Sequence, residues 1–279
     1  MKDKALSYIL VFLVAFGLLV AGCENKPGEE SCAEIAVTNS YLGCAVRELC
    51  GDNTEVLCLV PPGMCPGHFD ISPLQVKQLC GCRMLLLFDF QKQVEETLYR
   101  VKERGLKTAL VRETGGLCVP GTYLAACREI SDILSSEYPE RKAGYQQRLA
   151  VIEKDLKRLR VELLEKVQQA GISSARVLVS NYQADFASWL GLETIATFVG
   201  SDIETAAGIE HCIKKAQDQD VRFVIANKQE GTALAKALAE RLGARDVVFS
   251  NFPEFSGDAG GFSALLRANV EALLGAAKQ

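Results

Sequence analysis

The sequence predicts an α/β protein built as two (βα)4 lobes joined by one long backbone helix, with a ligand cleft between the lobes. Three observations predict it. Short β-rich runs alternate with helix-period segments from Glu34 onward; about 30 residues from Pro139 to Gln169 then carry one uninterrupted helical stripe; the same alternation resumes beyond Gly171.

Taken in order, the first four strands are expected at Ile35 to Thr38, Val56 to Val60, Met84 to Phe88 and Lys107 to Val111. The helices that follow them are expected at Ser40 to Leu49, Pro73 to Leu79, Gln91 to Glu103 and Pro120 to Leu134. Ser40 is a candidate N-cap, and the second and fourth helices open with proline, whose missing N–H costs nothing in a first turn. The stripe Tyr145, Leu149, Ile152, Leu156, Leu159, Leu163 and Val167 then lies between charged faces. A coiled coil would show such a stripe too, but this one lasts only about four heptads and a strand signal follows at once. At 1.5 Å per residue the helix would run roughly 45 Å, and Gly171 ends it. The second set of strands is expected at Val177 to Ser180, Thr194 to Phe198, Arg222 to Ala226 and Asp246 to Ser250. Its helices are expected at Gln183 to Leu190, Ile203 to Gln217, Gly231 to Leu242 and Gly260 to Leu274.

In open α/β sheets ligands sit outside the carboxyl ends of the strands. That rule selects the loops 39–41, 61–70, 89–91, 112–119, 181–183, 200–202, 227–230 and 251–254, rich in Asn, Asp, Gln, Cys and Gly. Candidate cleft residues are Asn39, Tyr41, Asp70, Asp89, Gln91, Asn181, Tyr182, Asn227, Gln229 and Asn251. In any single loop, Asn and Gly are explained by turn chemistry alone; only convergence gives them meaning.

The N-terminus reads as an export signal. Lys2 and Lys4 precede an apolar run to Ala21, and Leu19-Val20-Ala21-Gly22-Cys23 supplies small residues ending in a cysteine. The run is just long enough to cross a bilayer, but the small residues before Cys23 favour cleavage. This resembles the lipobox of bacterial lipoproteins, which implies a signal peptide over 1–22, acylation of Cys23, and a protein facing the periplasm or cell exterior. Residues 23–33, polar with Pro27 and Gly28, then form a tether. The lobes are expected over 34–138 and 171–279, with the linking helix over 139–170.

Net charge is −4 with no basic stripe, which excludes nucleic acid as a natural partner. Eleven cysteines are many for a chain of 279 residues. An oxidising compartment lets some pair, in a connectivity the sequence does not reveal. Cys44, Cys58 and Cys127 fall on apolar faces and read as small buried hydrophobes. Cys80 and Cys82 flank Gly81 without a second pair, a weak metal signal, and His211 reads as a solvated helix residue.

Several segments together are similar to the metal-binding solute-binding proteins of zinc and manganese ABC importers. They are Val37-Thr38-Asn39-Ser40-Tyr41-Leu42 to Glu48-Leu49, Val60-Pro61-Pro62-Gly63, and Phe69-Asp70-Ile71-Ser72-Pro73 followed by Lys77 and Leu79. Pro139-Glu140 before the long helix and Ala187 to Gly191-Leu192 complete the set. The resemblance implies a binding protein, not an enzyme, that delivers a transition-metal ion such as zinc or manganese to a permease in the cytoplasmic membrane. It implies no organic cofactor.

The chain departs from that family at the ligands. Where members carry histidine after the second strand, Gly67 stands, with His68 one residue on; the second histidine loop corresponds to Gly116-Leu117-Cys118-Val119-Pro120, without histidine. Asn181 and Tyr182 stand near the third position, and neutral Asn227 and Asn251 replace carboxylates. Three readings follow. Cys65, His68 and Cys118 converge as a soft metal site; or Cys65 and Cys118 pair as a disulfide; or the cleft hydrogen-bonds a metal chelate or small organic ligand. Two further classes compete with transport: an enzyme using Cys65 or Cys118 as nucleophile with His68 as base, and a structural or adhesive lipoprotein that kept the scaffold.

Overall fold

The computed structural model describes residues 33–51, 54–60, 62, 64, 70–200, 203–254 and 260–278, all within one compact unit, Ala33–Gln279. The first sheet contains β1 (Ile35–Val37), β2 (Val56–Cys58), β3 (Met84–Phe88) and β4 (Lys107–Val111), all parallel, in the order β2-β1-β3-β4. The second contains β5 (Arg176–Ser180), β6 (Glu193–Phe198), β7 (Phe223–Asn227) and β8 (Arg245–Phe249), again parallel, in the order β6-β5-β7-β8. The two sheets thus share one topology. Their central strands β3 and β7 are buried at every residue, as helices on both faces require, whereas the edge strands are half-exposed.

Helices of the first lobe are α1 (Ser40–Cys50), α2 (Pro73–Leu79), the short α3 (Lys92–Thr97) and α4 (Tyr99–Lys102), and α5 (Pro120–Glu137). The linking helix α6 (Lys142–Gln169) follows a 3-10 turn at Pro139–Arg141. The second lobe adds α7 (Ala184–Trp189), α8 (Ala206–Ala216), α9 (Ala233–Leu242) and α10 (Phe262–Lys278).

At 28 residues α6 spans about 42 Å. Tyr145, Ile152, Leu156, Leu159, Leu163 and Val167 form its buried stripe. That stripe packs on α1 and α5 of the first lobe and on α10 of the second, so one rod holds both lobes. Gly171 takes φ +65, the left-handed conformation that stops a helix and that glycine adopts without strain. A single hydrophobic core, running from Ile35 through the α6 stripe to Leu273, joins the inner faces of the two sheets. Each sheet buries its outer face in a separate smaller core.

Several boundaries differ from the sequence reading, each for a local reason. The helix expected from Gln91 to Glu103 breaks at Leu98, which leaves helical geometry and is buried in the core of the sheet's outer face, against which Val94 also packs. The helix expected at Ile203 begins at Ala206, where the Thr205 side chain accepts from Gly208 N. The last helix starts at Phe262 instead of Gly260, since Gly261 sits at φ +118, and it runs past Gly275 because Ala276 and Ala277 still pack on the core. Among the described residues no helix is long and apolar enough to cross a membrane.

Candidate functional site

With the order β2-β1-β3-β4, the first sheet switches direction between β1 and β3; the second does so between β5 and β7. Chain ends diverge at such points and leave room for a ligand. In the first lobe the site is occupied by Thr38, Asn39 and Gln91. Asn39 Oδ1 accepts from Leu42 N at 3.0 Å and caps α1, and its Nδ2 donates to Thr38 Oγ1 at 3.2 Å. Gln91, buried at the end of the 3-10 turn Asp89–Gln91, accepts through Oε1 from Thr38 Oγ1 at 2.6 Å and from Phe88 N at 3.2 Å.

In the second lobe the 3-10 turn Asn181–Gln183 leaves Asn181 and Tyr182 exposed and turns Gln183 inward, to 0% exposure. Gln183 Nε2 donates to Asn227 Oδ1 at 3.2 Å and to Asn251 Oδ1 at 2.9 Å. Asn251 Nδ2 donates to the Tyr182 carbonyl at 3.4 Å, and its backbone N–H to Gln229 Oε1 at 3.1 Å. Gln183 Oε1 is buried without a partner, a deficit worth about 1–3 kcal/mol.

The strand ends of the two lobes meet. Cys118, just before α5, is buried against the second lobe: its thiol donates to the Ser250 carbonyl at 3.0 Å and lies 3.4 Å from Asn251 Oδ1. Asn269 of α10 donates to the same Ser250 carbonyl at 2.9 Å and reaches the sulfur at 3.5 Å. Burial pushes the Cys118 thiol far above its ordinary range, only partly offset by Asn269, so it stays protonated. Gln229 Nε2 bridges to the Pro62 carbonyl at 2.9 Å. Gly116 N donates to Asp185 Oδ2 at 2.7 Å, and a Cβ on Gly116 would lie 2.6 Å from the Asp185 Cβ. Only glycine fits there.

An aromatic cluster backs this junction. Tyr41 meets Tyr123 edge-on at 5.1 Å and Phe88 at 5.7 Å, while Phe262 of α10 crosses from the second lobe to stack on Tyr123 at 3.9 Å. Tyr41 is wholly buried in it with its hydroxyl unpaired, and burial raises that hydroxyl well above its ordinary range. At the rim, Asp89 accepts from Glu113 N at 3.4 Å. The Glu113 carboxyl is pushed up by partial desolvation, then by the like charges of Asp89 and Asp185.

The structure therefore brings together Asn227, Gln229 and Asn251 of the expected cleft residues, with Cys118 beside them. Asn39, Tyr41 and Gln91 are buried in the first lobe, and Asp70, Asp89, Asn181 and Tyr182 are exposed. Cys65 and His68 lie outside the described residues. Among the described residues no group of three or more His, Cys, Asp or Glu is placed to hold a metal ion. Cys44, Cys50, Cys58, Cys80, Cys118, Cys127 and Cys212 are free thiols. Cys44 and Cys127 are buried and Cys58 half-buried, with the Cys44 thiol raised to about 12 and the Cys58 thiol to about 11, first by desolvation.

Sequence reasoning missed Gln183 and Asn269. The signal for Asn269 was legible: a polar side chain among Leu265, Leu266, Val270 and Leu273, on the buried face of its helix. Gln183 lay in a named loop, but only the turn geometry says which of its three residues points inward.

Residues 119–276, more than half of the chain, match the family described as ZnuA, zinc-uptake complex component A, periplasmic. No curated protein sequence matches the chain. Among solved structures, a ZnuA crystal structure superposes with a TM-score of 0.71 at 20% identity, covering 87% of this chain and 98% of that one. The cadmium-bound and manganese-bound forms of a periplasmic metal binding protein from candidatus liberibacter asiaticus each superpose with a TM-score of 0.74 at 12% identity and the same coverage. At such identities the likeness is one of fold.

Proposed function

Since the chain belongs to the ZnuA family of periplasmic zinc-uptake components, we propose that it is the substrate-binding lipoprotein of an ABC importer for a transition metal. The family consists of binding proteins that work with a permease, and no catalytic step enters this reading. In the proposed maturation, residues 1–22 are removed, Cys23 is acylated, and residues 23–33 tether two lobes, 34–138 and 171–279, joined by 139–170. Several acyl chains on one cysteine give stable anchoring where one alone gives marginal binding.

The observation that carries the proposal is the meeting of strand-end loops from both lobes around Gln183, Asn227, Asn251 and Cys118. Solutes of such proteins bind where two α/β lobes present their strand ends to each other. Zinc or manganese is the cargo that the named relatives suggest. As a bare ion it would draw on Cys65, His68 and Cys118, which requires the Cys118 thiol to lose its proton and its bond to Ser250. The neutral amides favour the second form of the reading, in which the metal arrives as a chelate, or a small organic ligand takes its place, held by hydrogen bonds.

The test is metal analysis of the purified full chain together with thermal shift across zinc, manganese, their chelates and small nutrients. A ligand at 100 times its Kd adds about 2.7 kcal/mol of stability, an easily read shift. Stabilisation by a metal or its chelate is expected. A flat response to all of them, with no metal bound after purification, would sink the transport reading.

A further inference from the structure

The orientation of the three amides at the second switch point follows from one backbone atom. Asn251 Nδ2 donates to the Tyr182 carbonyl at 3.4 Å, and a carbonyl only accepts, so the Asn251 amide has one workable orientation, with Oδ1 toward Gln183. Gln183 must then present its NH2 group. That nitrogen lies 2.9 Å from Asn251 Oδ1 and 3.2 Å from Asn227 Oδ1. Two side-chain carbonyl oxygens, from the ends of β7 and β8, therefore converge on one atom. Convergent oxygens are what a hard divalent cation requires. Here the point of convergence is filled by a neutral donor tethered to the end of β5, in a side chain with 0% exposure.

We infer that Gln183 is a specificity-determining residue of the cleft. Its carboxamide NH2 occupies the point at which Asn227 and Asn251 would otherwise ligate a bare dication, and its unpaired Oε1 is left to accept from an N–H or O–H of the solute. The inference rests on the reading of this junction as the solute site, and it separates two forms of cargo that the family alone does not. A bare ion has no hydrogen to offer Gln183 Oε1 and must displace the NH2 group to reach the two oxygens. A chelate or organic solute with N–H or O–H groups needs neither.

The test is a calorimetric titration of the full chain with MnCl2, manganese being an oxygen-preferring dication that thiols do not favour. Gln183→Glu replaces the donor with a charged acceptor and turns the convergence into a cation site, since ligand charge tunes affinity for hard cations. It is expected to bind manganese at least about tenfold more tightly than the unaltered chain. Gln183→Met, which removes the donor without adding charge, is expected to gain nothing. Manganese binding by the unaltered chain as tight as that of Gln183→Glu overturns the inference, and so does a cooperatively melting Gln183→Glu that gains no affinity. Should Gln183→Glu fail to melt cooperatively, Gln183→Asp, which removes the same donor and adds the same charge, carries the same expectation and the same overturning result. Failure of the importer reading would be seen elsewhere, as unchanged metal uptake in cells lacking the protein, and would leave this titration as it stands.

Discussion

Each lobe carries a buried glutamine at the end of a 3-10 turn beside its topological switch point, yet Gln91 and Gln183 do opposite things. Gln91 accepts through its oxygen, binding the Thr38 hydroxyl and the Phe88 N–H of its own lobe. Gln183 donates through its nitrogen to Asn227 and Asn251, and its oxygen is unmatched. One amide closes a fold; the other holds together a site that can still accept a hydrogen bond. The difference lies in the neighbours. The first switch point offers donors, a hydroxyl and a backbone N–H, whereas the second offers carbonyl oxygens, and an amide turns whichever end its surroundings require.

The contrast can be broken most severely at Phe262, the one aromatic ring that α10 contributes to the Tyr41–Tyr123 cluster. Phe262→Ala removes a fully buried ring stacked across the lobes and is expected to cost about 3–5 kcal/mol in chemical denaturation. If the first lobe owed nothing to the second, the loss would fall well short of that. The two glutamines themselves give the next test. Gln91→Leu strands two buried donors, at about 1–3 kcal/mol each, and is expected to cost about 2–6 kcal/mol. Gln183→Leu also removes the unpaired acceptor and leaves Asn251 Oδ1 beside the Cys118 thiol, so the expected loss is nearer 1 kcal/mol. Equal losses would erase the distinction between a structural amide and a site amide.

The smallest effect lies on the back of the molecule, where Arg267 of α10 forms paired bonds to Glu162 of α6 at 2.8 and 3.0 Å. Arg267, and less so Lys166, hold the Glu162 carboxyl down at about 2, against an ordinary 4.5. A lowered folded value means that the stabilisation is complete above pH 4.5 and is lost as pH falls toward 2. The side chain is 34% exposed, so screening limits the contribution to less than about 1 kcal/mol. The cost of Arg267→Ala is accordingly expected to shrink between pH 7 and pH 3; an identical cost at both would show that the pair does not fasten α10 to the rod.

Much of this architecture is legible one element at a time. The α6 stripe can be placed from the period of Tyr145, Ile152, Leu156, Leu159, Leu163 and Val167, and the parallel sheets from the spacing of apolar runs, because helix and strand periods are properties of local sequence. The break at Leu98 is not legible in that way, since it answers to the core of the outer face. For the site, Asn227 and Asn251 could be named because strand ends are predictable, while their partner Gln183 could not be told from Asn181 and Tyr182 next to it.

By itself the sequence determines the alternation of strands and helices, the rod between two like halves, and the absence of enough histidines for a multi-histidine metal site. Tertiary structure alone decides which strand ends face each other, that Cys118 is buried as a donor to Ser250, and that three amides from three strand ends share one nitrogen. The physical reason is range. Periodicity and capping are settled within a few residues, whereas Gln183, Asn227, Asn251 and Cys118 are separated by 24 to 133 residues in the chain and acquire a common chemistry only when packing brings them within 3.4 Å of their partners.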